Sequence, residues 1–226
     1  MTKLRKQDRV RVIGWDLDQT LYPKSHLIDN AIRLGLYEVV AKTRNISIGD
    51  AKTLFDKKYS AHGKGEAVFI ELGIPDAENL YQYLIESADL SRFLKPDDAT
   101  NATLKTLRQR FQQDLITGSP KQCALSRLSS LGIKPNLFEH MIFGDSVQGD
   151  TKLHKVGGDA FKFWLQQYPE LQPEQFVYVG DRITSDYLPA RDLGIQTVLI
   201  YQKEPPSTDA PTIAHPSDIL YLLDVN

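Results

Sequence analysis

The 226-residue chain is 41% apolar and 25% charged, the composition of a folded globular protein long enough for one large domain or a core domain with a smaller module. Its formal net charge of −2 gives no electrostatic ground for binding DNA, RNA or an anionic membrane, and a single cysteine, Cys123, excludes an internal disulfide. No apolar run approaches the roughly 18 residues of a bilayer span, and the polar start MTKLRKQDR does not read as a signal peptide, so a cytoplasmic protein is expected.

Short apolar runs recur along the chain, each ending in or followed by a polar residue. VRVIGWD ends at Asp16, DLITGS passes through Thr117, HMIFGD ends at Asp145 and FVYVGD ends at Asp181; QTVLIY follows at 196–201. Each predicts a buried strand, being too short for a typical helix. Helical patterns lie between most of them. QCALSRLSSLG places Leu125, Leu128 and Leu131 on one face and ends in Gly132 as the expected C-cap. GDAFKFWLQQY starts at Asp159, the expected N-cap, and SDYLPARDLG again ends in Gly. Strands alternating with helices predict an α/β fold, a Rossmann-like parallel sheet covered on both faces.

One connection is too long for a simple crossover. Roughly ninety residues separate the first two strands, where one helix would suffice. Ile28, Ile32, Leu36, Val39 and Val40 share a helical face, and NLYQYLIESADL and ATNATLKTLRQRF repeat the pattern. The expected organisation is a core of residues 1–20 and 96–226 with a helical cap inserted at 21–95. KEPPSTDAPTIAHP reads as a Pro-rich surface loop, and SDILYLLDV as a short terminal helix.

In a parallel sheet the ligand site lies outside the carboxyl ends of the strands, where Asp16, Thr117, Asp145 and Asp181 fall. A sharp turn at Leu17 would aim Asp16 and Asp18 at one point and bring four acids, Asp16, Asp18, Asp181 and Asp186, together above the sheet. Unpaired, they would be costly; a divalent cation removes the cost, and oxygen ligands suit Mg²⁺. An ionised carboxylate at Asp16 can attack phosphorus, Lys155 can balance the phosphoryl charge, and the Thr117 hydroxyl with the Gly118 and Ser119 amides can hold phosphate oxygens. Asp18 then serves as acid and base, protonating the leaving oxygen and later taking a proton from water. Asp145 ends a run of similar look but lacks a second acid at the matching offset. The five histidines show no metal-ligand spacing. His62 and Lys64, in SAHGKGE, are either a decorated glycine turn or residues that reach a substrate; Tyr22 either lines the cleft or packs under the cap.

DLDQTLYP, LITGSP, the Lys155 segment and YVGDRITSD resemble, in order, the four motifs of the haloacid dehalogenase superfamily, over nearly the whole chain. The DxDxTLYP form and the DLSRFLKPD stretch resemble its pyrimidine 5′-nucleotidase-like branch, with a helical cap of the C1 type. The resemblance implies a nucleophile at Asp16, an acid/base at Asp18 whose backbone carbonyl also binds Mg²⁺, a phosphate-binding Thr117, a stabilising lysine, and metal-serving acids at Asp181 and Asp186. Lys155, in KVGGDAF, stands where the family often has KPxxxxF; Val156 replaces the proline, and the choice between Lys155 and Lys152 stays open. Gln19 stands where many relatives carry Gly or Asn. An acid at position 18 favours phosphoryl transfer over dehalogenation, because the superfamily's dehalogenases do not carry it.

The expected activity is a Mg²⁺-dependent phosphomonoester hydrolase acting on a small phosphorylated metabolite through an aspartyl phosphate, with a nucleoside monophosphate as first substrate. Sugar phosphates, phosphoglycolate-like substrates and a phosphomutase reaction are the enzymatic alternatives. A phospho-acceptor regulatory domain is the non-enzymatic one, disfavoured because its acids are adjacent and its length about half of this chain.

Overall fold

Val12–Trp15 form β1, four residues with no exposed surface, as a strand covered on both faces requires. The computed structural model describes residues 9–62, 65–201 and 208–225. Two compact units are present, Met1–Pro23 with Leu94–Asn226, and Lys24–Phe93.

The second unit is helical: α1 His26–Arg44, α2 Ile48–His62, α3 Gly65–Glu71 and α4 Ala77–Ser87. Ser25 caps α1 by accepting the Ile28 amide at 3.2 Å, and Asn45 ends it in the left-handed region. Leu36, Tyr37 and Val40 of α1 pack with Phe55, Phe69 and Ile74 in the unit's own core. His62 is bound to Glu71 at 2.7 Å within this unit, and Lys58 bonds the same carboxylate. Lys64 lies outside the described residues.

The first unit continues with α5 Asp98–Leu107, β2 Gln112–Ile116, α6 Lys121–Ser130, β3 Met141–Ile142, the small hairpin β4 Val147–Gln148 and β5 Thr151–Lys152, and α7 Asp159–Gln166. Then come β6 Phe176–Gly180, α8 Leu188–Asp192, β7 Gln196–Ile200, β8 Thr212–Ile213 and α9 Ile219–Leu222. Six strands form one parallel sheet in the order β3-β2-β1-β6-β7-β8, the α/β Rossmann-like arrangement. Alternation along the strands divides the two faces. Val12, Phe176 and Tyr178 meet Phe161 and Trp164 of α7 on one face. On the other, Trp15 donates to Gln113 at 3.1 Å, and Gln113 donates to the Leu104 carbonyl of α5 at 2.8 Å.

Several elements differ from the sequence reading. Gly158, not Asp159, is the N-cap of α7; Asp159 occupies the first turn, where its charge favours the helix N-terminus. The Pro-rich stretch contains β8, which gains its partner from β7 rather than from its own pattern. Asp114, which follows two glutamines in β2, is fully buried on the α7 face. It accepts from Trp164 Nε1 at 2.7 Å, from the Tyr168 hydroxyl at 2.8 Å and from the His140 amide at 2.7 Å, so the acid is satisfied rather than stranded. No helix among the described residues is long and apolar enough to cross a membrane.

Candidate active site

The pairing registers set the site. Trp15 lies level with Leu115 of β2 and Val179 of β6, so the residues that follow three adjacent strands, Asp16, Thr117 and Asp181, emerge at one edge of the sheet. The Asp16 amide still bonds the Val179 carbonyl at 2.9 Å; beyond it the chain turns, with the Leu17 carbonyl accepting from Thr20 at 3.3 Å and Leu21 at 3.0 Å. Gln19 has φ +61, the left-handed region where Gly or Asn is at ease. Relieving that strain with Gln19→Gly is expected to raise stability by up to about 1 kcal/mol, whereas Gln19→Val should lower it by more than about 1 kcal/mol. Urea midpoints at unchanged slope measure both; a glycine variant less stable than the parent contradicts the assignment of strain.

Asp16, Asp181 and Asp186 bring carboxylate oxygens within 4.8 Å of one another. Asp186 reaches this point because Ile183–Tyr187 make one π-helical turn, closed by the Tyr187 amide on the Arg182 carbonyl at 3.1 Å. Its Oδ2 accepts the Arg182 amide at 2.9 Å, so the residue also caps the start of its own turn. Gly180 makes room: a Cβ there would stand 2.6 Å from Asp186 Cβ. Lys155 inserts between two of the acids. Its Nζ donates to Asp16 Oδ1 at 2.6 Å, to Asp186 Oδ1 at 2.7 Å and to the Tyr178 hydroxyl at 3.3 Å. Lys152, in contrast, is exposed in the β4–β5 hairpin.

Electrostatics make the group incomplete as a purely protein cluster. Burial pushes the Asp16 carboxyl up to about 8; Lys155 pulls it down, and Asp186, Asp181 and Asp18 add to the rise. Burial and then Asp186 push Asp181 up to about 6, against Arg182 and Lys155. Burial pulls the Lys155 ammonium down, but Asp16 and Asp186 outweigh it and hold it well above the usual lysine range. Lys155 bonds two of the three carboxylates and Arg182 stands 4.0 Å from the third, yet Asp16 and Asp181 are still pushed up, so the cluster favours a retained proton or a further cation. An all-oxygen donor set at this spacing fits a hard divalent ion such as Mg²⁺.

Asp18 is not in this group. Its carboxylate turns toward different partners: Oδ1 accepts from the Tyr22 hydroxyl at 2.6 Å and from Arg127 Nη1 at 2.7 Å, and Oδ2 accepts from the Ser119 hydroxyl, with Thr117 Oγ1 at 3.4 Å. The four-acid convergence expected from the sequence is therefore three acids and a separate fourth, because a buried arginine and a buried tyrosine hold Asp18 aside. Thr117 Oγ1 accepts the Ser119 amide at 3.1 Å, which folds the loop after β2 back on itself. Gly144 closes that loop from behind: its amide donates to the Ser119 carbonyl at 3.0 Å, and a Cβ would lie 1.8 Å from the Gly118 oxygen. Asp145 has a different task, accepting the Lys121 amide at 2.9 Å at the start of α6. Arg127 was not among the residues singled out by sequence. Its one signal is an arginine in the buried register Ala124, Arg127, Leu128, Leu131 of an amphipathic helix.

The carboxyl edge of this parallel α/β sheet thus carries three clustered acids with a lysine, and a separate fourth acid beside them. The chain belongs to the haloacid dehalogenase-like hydrolase family, whose model matches residues 10–194. It is 30% identical over 199 residues to a glyceraldehyde 3-phosphate phosphatase of Methanocaldococcus jannaschii, covering 84% of this chain and 85% of that protein. A protein of the same name from Methanopyrus kandleri is 24% identical over 214 residues, 88% and 89% of the two chains. Among solved structures, a HAD phosphatase from Thermococcus onnurineus superposes with a TM-score of 0.66 at 19% identity, over 95% of this chain and 98% of its own. The HAD-hydrolase YfnB of Bacillus subtilis, solved with magnesium bound, gives 0.60 at 19% identity over 96% and 99%.

Proposed function

We propose that this hydrolase is a phosphatase for a small sugar phosphate or phospho-acid, working through an aspartyl phosphate on Asp16. The observation that carries the reading is the different surroundings of two aspartates one residue apart. Asp16 sits with Lys155 in the cation cluster, suited to stay ionised once the cation is bound. Asp18 sits among hydroxyls and an arginine, outside that cluster. In this reading Asp16 attacks phosphorus as the P–O bond to the leaving group breaks, and Asp18 supplies the proton to the leaving oxygen. Water then attacks the aspartyl phosphate, Asp18 takes its proton, and phosphate leaves with Asp16 restored. Thr117, Gly118 and Ser119 would hold phosphoryl oxygens, and Lys155 would balance their charge. Asp16, Asp181 and Asp186, with the Asp18 carbonyl, would hold Mg²⁺, which supplies neutralisation of the phosphoryl charge. Residues 21–95 would be the cap on a core of 1–20 and 96–226.

The names of both relatives favour a sugar phosphate over the nucleoside monophosphate that motif resemblance put first. A phosphate-release panel of glyceraldehyde 3-phosphate, other sugar phosphates, phosphoglycolate and nucleoside monophosphates, with Mg²⁺ or with chelator, tests this. The expected result is a kcat/KM at least about tenfold higher for a sugar phosphate or phospho-acid than for any nucleotide, and no release under chelation. A nucleotide as best substrate restores the first expectation; isomer interconversion without free phosphate indicates a mutase; slow self-labelling from a small phosphodonor indicates a regulatory domain.

A further inference from the structure

Arg127 is buried to 2% exposure, where an unpaired charge would cost far more than a helix gains from keeping it. It faces the Asp18 carboxylate, donating from Nη1 to Oδ1 at 2.7 Å and also to the Ser119 hydroxyl. The Tyr22 hydroxyl donates to the same Oδ1 at 2.6 Å. Oδ1 thus takes the Arg127 guanidinium, whose planar donors cannot turn away, together with the hydroxyl of a buried tyrosine. Among the described residues, Oδ2 accepts from the hydroxyls of Ser119 and, at 3.4 Å, Thr117, and a hydroxyl can rotate its proton to another acceptor. The Asp18 side chain keeps 25% of its surface exposed, so the carboxylate is not sealed by these partners.

We propose that Arg127 is a positioning residue for the acid/base step: with Tyr22 it pins Oδ1 of Asp18, leaving Oδ2 as the atom that delivers and takes the proton. This rests on the phosphatase reading above. In the first half-reaction the P–O bond breaks, its electron pair goes to the leaving oxygen, and the proton on Oδ2 follows. In the second, water's oxygen bonds phosphorus as the bond to Asp16 breaks, and water's proton goes to Oδ2. The proton matters most when the leaving group is a poor one. An alkoxide needs it; a nitrophenolate does not.

The test compares kcat/KM, which reports events up to ester cleavage, for glyceraldehyde 3-phosphate and p-nitrophenyl phosphate at saturating Mg²⁺. Arg127→Met is expected to lower the alkyl value about 100-fold and the aryl value less than about 10-fold, the general-acid share being lost only where it is used. Arg127→Lys should recover part of the alkyl loss, and Tyr22→Phe should show the same asymmetry at smaller size. If Arg127→Met fails to fold, these two variants carry the comparison. Equal losses on both esters, or no loss on either, overturn the positioning role while the phosphatase reading stands. A parent protein that releases phosphate from neither ester overturns both.

Discussion

Asp16→Asn is expected to abolish phosphate release, by at least about 10⁴-fold in kcat, in a protein that remains folded. The substitution preserves shape and removes the attacking oxygen's charge. Thr20 Oγ1, now 3.2 Å from Asp16 Oδ2, keeps an acceptor if the amide oxygen faces it, and Lys155 keeps its 2.7 Å bond to Asp186. The fold therefore loses little, while the acid cluster loses one of three carboxylates and the proposed reaction its nucleophile. Release of p-nitrophenol, with a thermal melt alongside, measures both halves. Activity within about tenfold of the parent would remove Asp16 from the nucleophile's role.

The second large effect is the dependence of metal-free stability on pH. In the unfolded chain Asp16 and Asp181 titrate near 3.8; in the folded chain burial and the neighbouring acids raise them to about 8 and about 6. Between those limits the folded state binds more protons than the unfolded one. Stability is then fully present below 3.8 and falls as pH rises through 6 and 8. Lys155, raised above its ordinary range, acts in the same direction at still higher pH. Mg²⁺ competes with the retained proton, so its stabilising effect should be larger at pH 8.5 than at pH 5.5. Melting curves with chelator and with Mg²⁺ at the two pH values decide it. A metal-free protein that gains stability with rising pH, or an equal Mg²⁺ shift at both, contradicts the cluster's electrostatics. Asp16→Asn should flatten most of the slope.

Much of the fold was legible because β1, β6 and β7 are mostly apolar and β2 ends in Leu115 and Ile116, so burial on both faces is written in their composition. β8 and the β4–β5 hairpin were not, since two-residue strands have no period to read and owe their existence to a partner. The π-helical turn at Ile183–Tyr187 reads as ordinary helix; the extra residue arises because Asp186 bends back to the Arg182 amide and to Lys155. The acids of the site stood out as polar residues at strand ends. Of the partners of Asp18, Thr117, Ser119 and Tyr22 stood out too, but Arg127 did not, because it looks like a surface charge until the helix's buried register is counted. Local pattern reveals where a charge leaves a strand, not which distant side chain will meet it.

Lys155 and Asp16 meet across 139 positions of chain, and Asp186 joins them from farther still. On the ribosome, the acid after β1 emerges with the helical segments long before its lysine and cation-sharing partners have been made. The nascent polypeptide consequently has no competent centre until Asp186 has cleared the exit tunnel and the central strand β1 has acquired its neighbour β6. On the proposed reaction, a product cut short before Asp186 would lack one of the three clustered acids and is expected to be inert however well its earlier segments folded.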